Sequence, residues 1–317
     1  MAKILVTGGA GFIASHIVDA LVNRGDDVVV FDNLSNGRMS NLAHLEGRIK
    51  FLQFDLTNLD QVKTALEGVD KVCHQGALGS VPRSIADPIN SHNSNANGTL
   101  NLLTAAKDHG IKRVVVASSS SIYGDTPELP KHEGMPFNPK SPYAFTKVCT
   151  EEYARIFSLV YGMENIALRY FNVFGPRQNP NLAYSAVIPL FIKKIVAGES
   201  PIINGDGSTS RDFTYVANVV HGNLLALDAP ASATGRAYNL ALGGQISLID
   251  LIEMINEILG TSVKPTFQPN RPGDVAHSKA SIDDIRNALG FAPIVEFKEG
   301  LRRTIEYYKD FEMNQSM

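Results

Sequence analysis

Tyr143 and Lys147 lie four residues apart in Ser141-Pro142-Tyr143-Ala144-Phe145-Thr146-Lys147, a spacing that puts both on one helical face. A phenol with a pKa of about 10 is a poor base at neutral pH. A neighbouring ammonium, joined by the positive charge of an oxidised nicotinamide, favours the phenolate and lowers that pKa. Such a phenolate takes a proton from a hydroxyl while hydride leaves the same carbon. Upstream, a β-branched run enters Ser118-Ser119-Ser120-Ser121-Ile122-Tyr123-Gly124. Ser119 is the residue expected to bond that oxygen and relay the proton. A Tyr-x-x-x-Lys spacing alone usually marks only a helix face, so the hydride acceptor has to be sought elsewhere in the chain.

It is found at the start. The run Lys3–Thr7 feeds Gly8-Gly9-Ala10-Gly11-Phe12-Ile13-Ala14, and a helical pattern follows. Glycines at 8 and 11 permit a tight turn and close approach of a pyrophosphate, which then sits on the helix N-terminus. Asp32 ends the next strand, where a carboxylate bonds ribose hydroxyls and repels a 2′-phosphate. NAD is therefore expected over NADP, although Arg38 close behind keeps the second option open. Asp55, ending a third strand, is placed to reach the adenine amine or to cap the next helix.

These groups require a scaffold of parallel strands. Apolar runs at Lys3–Thr7, Val28–Asp32, Ile49–Asp55, Lys71–His74, Arg113–Ala117 and Ile166–Tyr170 read as strands buried on both faces. Helical patterns lie between them at Phe12–Asn23, Leu59–Leu66, Pro88–Lys107 and Tyr143–Tyr161. The alternation predicts an α/β fold, a Rossmann-type doubly wound parallel sheet. After Tyr170 the rhythm breaks, with helices expected near Ile188–Ala197, Val216–Leu227, Leu248–Leu259 and Ile282–Leu289. Residues 1–175 are thus expected to form the dinucleotide-binding domain and 176–317 mainly a smaller α/β substrate lobe. Strands near 210–240 are candidates to rejoin the main sheet.

Composition narrows the classes. The 317 residues carry 29 basic and 32 acidic side chains without any basic block, which argues against nucleic acid. No apolar stretch reaches the roughly 18 residues of a membrane span. The two cysteines, Cys73 and Cys149, read as free thiols in a reducing compartment, and a cytoplasmic location is expected. The histidines, His74 and His277 among them, are not grouped at metal-ligand spacings, and no metal is expected.

The glycine turn, the serine strand end with Tyr123-Gly124 and the Tyr143/Lys147 pair together resemble the extended short-chain dehydrogenase/reductases. Further matches run along the chain: His74-Gln75-Gly76-Ala77, Arg169–Arg177, Gly205-Asp206-Gly207, Arg211-Asp212-Phe213 and Arg271-Pro272-Gly273-Asp274. Together they are similar to the UDP-hexose 4-epimerases, and Ala77–Ser84 is similar to those acting on UDP-N-acetylglucosamine (UDP-GlcNAc). The resemblance implies NAD contacts from Gly8, Gly11, Phe12, Ile13, Asp32, Asn33, Asp55, Leu56, Tyr143, Lys147 and Tyr170. It implies catalysis by Ser119, Tyr143 and Lys147. It implies a UDP-sugar held by Ser80, Ser119, Ser120, Ser121, Tyr143, Asn172, Val187, Arg211, Arg271, Asp274 and Ser278, and a homodimer joined through a four-helix bundle from Pro88–Lys107 and Tyr143–Tyr161.

Within that branch, dehydratases carry an Asp-Glu pair after the family's Ser/Thr. Here Ser120 and Ser121 are hydroxyls, so oxidation at C4 and hydride return are implied, not elimination. Ser278, seven after Arg271, stands where the family has Tyr for glucose and galactose and a small residue for N-acetyl sugars. The resemblance thus points to UDP-GlcNAc and UDP-GalNAc, with UDP-glucose/UDP-galactose or UDP-uronate epimerisation as alternatives. A regulatory NAD-binding relative typically lacks the Tyr or the Lys.

Overall fold

The computed structural model describes residues 1–179, 187–269 and 277–315, with side chains described as far as Lys309. Its first half runs β1 (Lys3–Thr7), α1 (Phe12–Arg24), β2 (Asp27–Phe31), β3 (Lys50–Leu52), α2 (Leu59–Ala65), β4 (Lys71–His74), α3 (Val81–Ala86), α4 (Pro88–His92), α5 (Gly98–Asp108), β5 (Arg113–Ser119), α6 (Pro142–Tyr161) and β6 (Ile166–Tyr170). The second half adds β7 (Val173–Phe174), α7 (Val187–Val196), β8 (Ile202–Asn204), β9 (Ser210–Arg211), β10 (Thr214–Tyr215), α8 (Val216–Leu227), β11 (Arg236–Leu240), β12 (Ile246–Ser247), α9 (Leu248–Leu259), β13 (Thr266–Gln268), α10 (Asp283–Leu289) and α11 (Phe297–Gln315).

Seven strands form one parallel sheet in the order β11-β6-β5-β4-β1-β2-β3. The chain reverses direction across the sheet between β1 and β4, which makes their carboxyl ends the switch-point crevice. The apolar runs fold as parallel strands because both faces are covered. Ile4 and Val6 pack with α1 and α8 on one side; Leu5, Val72 and Val114 pack with α2 and α5 on the other. β11 rejoins the sheet beside β6, whereas β9 pairs antiparallel with β12, and β10 pairs with β7. A third apolar cluster joins Phe174 of β7 and Tyr215 of β10 to Phe191, Ile192, Leu251 and Leu301 from α7, α9 and α11.

Four local departures from the sequence reading bear on the site. β5 runs on to Ser119, so the first two serines belong to the strand, and a 3-10 turn carries Ser120–Tyr123. β3 stops at Leu52, because the Phe54 N–H turns back onto the Leu52 carbonyl and leaves Asp55 beyond the sheet. The helix expected over Pro88–Lys107 is broken by a π-helical turn at Asn93–Asn97. That turn presents the Asn95 side chain, which accepts from the Leu78 N–H at 2.7 Å and donates to Thr146 Oγ1 at 3.0 Å. Finally, α3 and α11 were not expected. α3 starts at Ser80, whose Oγ accepts the Arg83 N–H, with proline in its first turn.

Candidate active site

A cavity of about 430 Å³ opens at the carboxyl ends of β1, β2, β4 and β5. All eleven residues expected at the cofactor line it, from Gly8 and Gly11 through Asp32, Asn33, Asp55 and Leu56 to Tyr143, Lys147 and Tyr170. Gly8 has φ +67°, and a Cβ there would lie 2.8 Å from Gly76 Cα. Only glycine satisfies both conditions. The Asp32 carboxylate accepts the Ala10 and Leu34 N–H groups at 3.0 and 2.7 Å, which holds it beneath the turn. Burial raises its pKa, and those two bonds oppose the rise. Burial also acts on Asp55, but bonds from Asn33 and Thr57 outweigh it and leave the carboxyl below its usual value. Asn33 Nδ2 donates to Asp55 at 2.8 Å, so the two adenosine-side candidates touch. The turn without side chains at Gly8 and Gly11, lining the cavity beside the Asp32 carboxylate, fits a dinucleotide.

The turn is fixed from behind by His74, which stands at no metal-ligand spacing. Thr7 Oγ1 accepts the Gln75 and Gly76 N–H groups at 3.1 and 3.0 Å. Its proton must therefore go to His74 Nδ1, 2.7 Å away. His74 is thereby the Nε2–H tautomer and donates to Thr99 Oγ1 at 3.0 Å; Thr99 in turn donates to the Asn95 carbonyl. Burial, reinforced by the Lys147 charge, pushes the imidazole down to about 3. A neutral histidine thus clamps β1 to β4 at the point where the glycines must hold their shape.

Tyr143 lines the inner end of the cavity, and Ser119 meets it there. α6 begins at Ser141, whose Oγ accepts the Ala144 N–H at 3.1 Å, and the Tyr143 N–H donates to Ser84 Oγ at 3.0 Å. Lys147 Nζ donates to the Ala117 carbonyl at 2.7 Å. Burial lowers the Lys147 pKa to about 8. Burial also raises the Tyr143 phenol, and a hydrogen bond with Ser119 pulls it only partly back. The sequence reading has Lys147 and an oxidised nicotinamide together lowering the phenol; in the protein alone the ammonium is engaged on a peptide carbonyl, and burial sets the direction. Glu151, also on α6, accepts from Ser118 Oγ at 2.9 Å and from Arg169 Nε at 3.1 Å. This buried pair ties the helix to β5 and β6, and losing one partner of such a pair costs about 3–5 kcal/mol.

The residues expected on the substrate divide. Tyr143 stands in the cavity wall with Ser119 bonded to it. Ser120 and Ser121 follow on the 3-10 turn, with the Ser121 N–H bonded to Ser119 Oγ at 3.2 Å and its own hydroxyl buried without a partner among the described residues. Ser80 caps α3, and Val187 starts α7. Asn172, in the left-handed region at φ +36°, donates from Nδ2 to Ser278 Oγ at 3.1 Å. Ser278 is buried against Asn172 and β9 and does not line the described cavity. The Arg211 guanidinium donates to the Ser210 carbonyl at 2.9 Å. Arg271 and Asp274 lie outside the described residues.

Read from sequence, Arg177, on the loop with Gln178 and Asn179, suits a surface salt bridge, and none of the three is assigned to the site; all three line the cavity. Arg177 pairs with Asp19 of α1 at 2.7 Å, and His16 bonds the Pro176 carbonyl. Their signal was the unassigned Gly175-Pro176-Arg177 at the end of a matched motif.

Residues 4–241 match the model of the NAD dependent epimerase/dehydratase family. The chain is 36% identical over 312 residues to a UDP-glucose 4-epimerase of Mycolicibacterium smegmatis, covering 97% of this chain and 99% of that one. It is similar to a solved UDP-N-acetylglucosamine 4-epimerase from Methanobrevibacter ruminantium in complex with UDP-N-acetylmuramic acid, at TM-score 0.93 and 40% identity, covering 98% and 99% of the two chains. It is also similar to the Thermus thermophilus UDP-glucose 4-epimerase complex with NAD, at TM-score 0.88 and 35% identity over 97% and 99%. With the glycine turn, Asp32 and the Ser119–Tyr143–Lys147 group gathered at one crevice, the chain belongs to the NAD-dependent epimerase/dehydratase family, among its UDP-hexose 4-epimerases, and its cofactor is NAD.

Proposed function

We propose that the protein interconverts UDP-GlcNAc and UDP-GalNAc, and with them UDP-glucose and UDP-galactose, through a 4-keto sugar. The observation that carries this reading is the meeting of Tyr143, Ser119 and Lys147 at the carboxyl end of β5, followed by hydroxyls and not carboxylates at 120 and 121. Tyr143 takes the C4 hydroxyl proton, and Ser119 holds that oxygen and passes the proton along. The glycine turn and Asp32 would hold NAD, whose nicotinamide would supply a reversible hydride acceptor for C4. Because burial raises the phenol, Tyr143 acts as a base only where positive charge offsets it, from Lys147 and the oxidised cofactor together. The same residue reprotonates C4 oxygen at the end, so the cofactor is regenerated and not consumed. Ser120 and Ser121 offer no acid to expel water, which favours epimerisation over dehydration.

A small side chain at 278 supports room for the acetamido group, and Asn172, Val187, Arg211, Arg271 and Asp274 are proposed to hold the UDP. The test is NMR of the products formed from UDP-GlcNAc without added NAD, with kcat/KM compared on the two sugar pairs. Ser278→Tyr is expected to lose the acetylated pair by about tenfold or more while retaining the other. No turnover of UDP-GlcNAc by the unmodified enzyme would sink the reading.

We also propose a homodimer through α3–α6. Ile85 is 64% exposed, Ile89 73% and Leu159 76%, and Phe145, Val160 and Tyr161 of α6 are exposed as well. An apolar face of that extent on adjacent helices is the kind that a partner covers. Light scattering at the mass of one chain would rule it out.

A further inference from the structure

Asn172, Arg211 and Ser278 come from three distant segments, and each sits on or beside a strand of only two residues or on no strand at all. Short pairings set part of their spacing: β7 pairs with β10, and the Ser278 N–H donates to the Ser210 carbonyl at 3.1 Å. Asp212, a motif residue to which no role was assigned, stands between them and is fully buried. Its carboxylate accepts the Leu242 N–H at 3.2 Å, the Gly243 N–H at 3.0 Å and the Ala280 N–H at 3.1 Å. The Gly244 N–H bonds to it as well. One side chain therefore fastens β9 both to the turn after β11 and to the segment that carries Ser278. Its backbone does the rest: the Asp212 carbonyl accepts Asn172 Nδ2 at 3.0 Å, and its N–H donates to Ser278 Oγ at 3.4 Å.

The chemistry explains why this residue is an acid. A buried carboxylate is costly unless it accepts several hydrogen bonds, and converging peptide N–H groups supply them. An amide in its place would point an N–H₂ at other N–H groups and lose part of the set.

We propose that Asp212 is a positioning residue for the substrate half of the site, fixing Arg211, Asn172 and Ser278 relative to one another without touching the substrate. This rests on the UDP-sugar reading, so UDP itself serves as the probe, titrated calorimetrically into the purified holoenzyme. Asp212→Asn weakens UDP binding and raises KM for the UDP-sugar by about tenfold or more, with kcat at saturation and bound NAD near their unmodified values. Joined to Asn172→Ala, it costs less than the product of the two single effects, because both act through one contact. A fall in kcat at unchanged KM, loss of NAD, or fully multiplicative effects would overturn the proposal. If Asp212→Asn does not fold, Asp212→Glu, which keeps the charge but displaces it by one methylene, gives the same reading. Failure of both variants to fold assigns Asp212 a purely structural role and overturns it too. Unmodified enzyme that fails to bind UDP overturns the functional reading first, a result visible before any variant is made.

Discussion

At the crevice between β1 and β4, the glycine turn, Asp32 and the Ser119–Tyr143–Lys147 group are carried by the ends of parallel strands or by a helix packed against one. Gly8 and Gly11 follow β1, Asp32 follows β2, Ser119 ends β5, and α6 brings Tyr143 and Lys147 against that end. Across from them, Asn172, Arg211 and Ser278 are carried on loops and two-residue strands that meet through Asp212. A sheet with fixed register positions its strand ends collectively, so no single bond has to. A half built from loops and two-residue strands adds a buried carboxylate to its few backbone pairings. The difference teaches where the molecule is tolerant: the crevice is spread over a scaffold, whereas the proposed substrate residues share the buried carboxylate of Asp212.

The largest effect should come from chemistry itself. Tyr143→Phe removes the phenol hydroxyl proposed to exchange a proton with the sugar while leaving the ring's packing intact. A fall in kcat of about 10²–10⁴-fold is expected. The NAD content and the UDP dissociation constant should stay unchanged, since neither half loses a wall. Parallel loss of NAD would show that the halves are not separable and would break the comparison.

How much of this was legible depends on how local the signal is. The glycine turn and Asp32 could be read because turn chemistry and doubly buried strands are written in adjacent residues. Tyr143 and Lys147 could be read because helical spacing is periodic. The role of Asp212 could not, since its partners at 242–244 and 280 are brought near only by the fold. Ser278 was readable as a small residue at a set distance from Arg271, but not as the acceptor of an Asn172 bond. That burial raises the Tyr143 phenol in the protein alone is not legible in the sequence, because burial is a tertiary property. α11 was missed for a different reason. Its dense charges, Lys298 through Arg303, hide a regular stripe of Leu301, Ile305 and Tyr308 that faces the third cluster. The π turn left no local trace, because it serves the contact of Asn95 with Leu78 and Thr146.

The smallest expected effect is on stability, and it has opposite signs in the two halves. His74 is buried and neutral, held down to about 3 from an ordinary 6.5. As pH falls below 6.5, the unfolded chain takes a proton that the native imidazole refuses, so stability is lost with acid. Asp212 is raised by burial to about 6 from an ordinary 3.8. As pH falls through 6, the native carboxyl takes a proton that the unfolded one leaves in solution, so its contribution improves with acid. Each group contributes at most about 1.4 kcal/mol per pH unit, and between roughly pH 4 and 6 the two oppose each other. Denaturant unfolding across that window should therefore separate them. His74→Asn removes the acid-sensitive clamp of the cofactor half and should flatten the acid limb. Asp212→Asn removes the acid-tolerant knot of the substrate half and should steepen it. If both variants moved the limb the same way, burial would not be what sets these two groups, and the contrast between a scaffolded half and a knotted one would lose its electrostatic side.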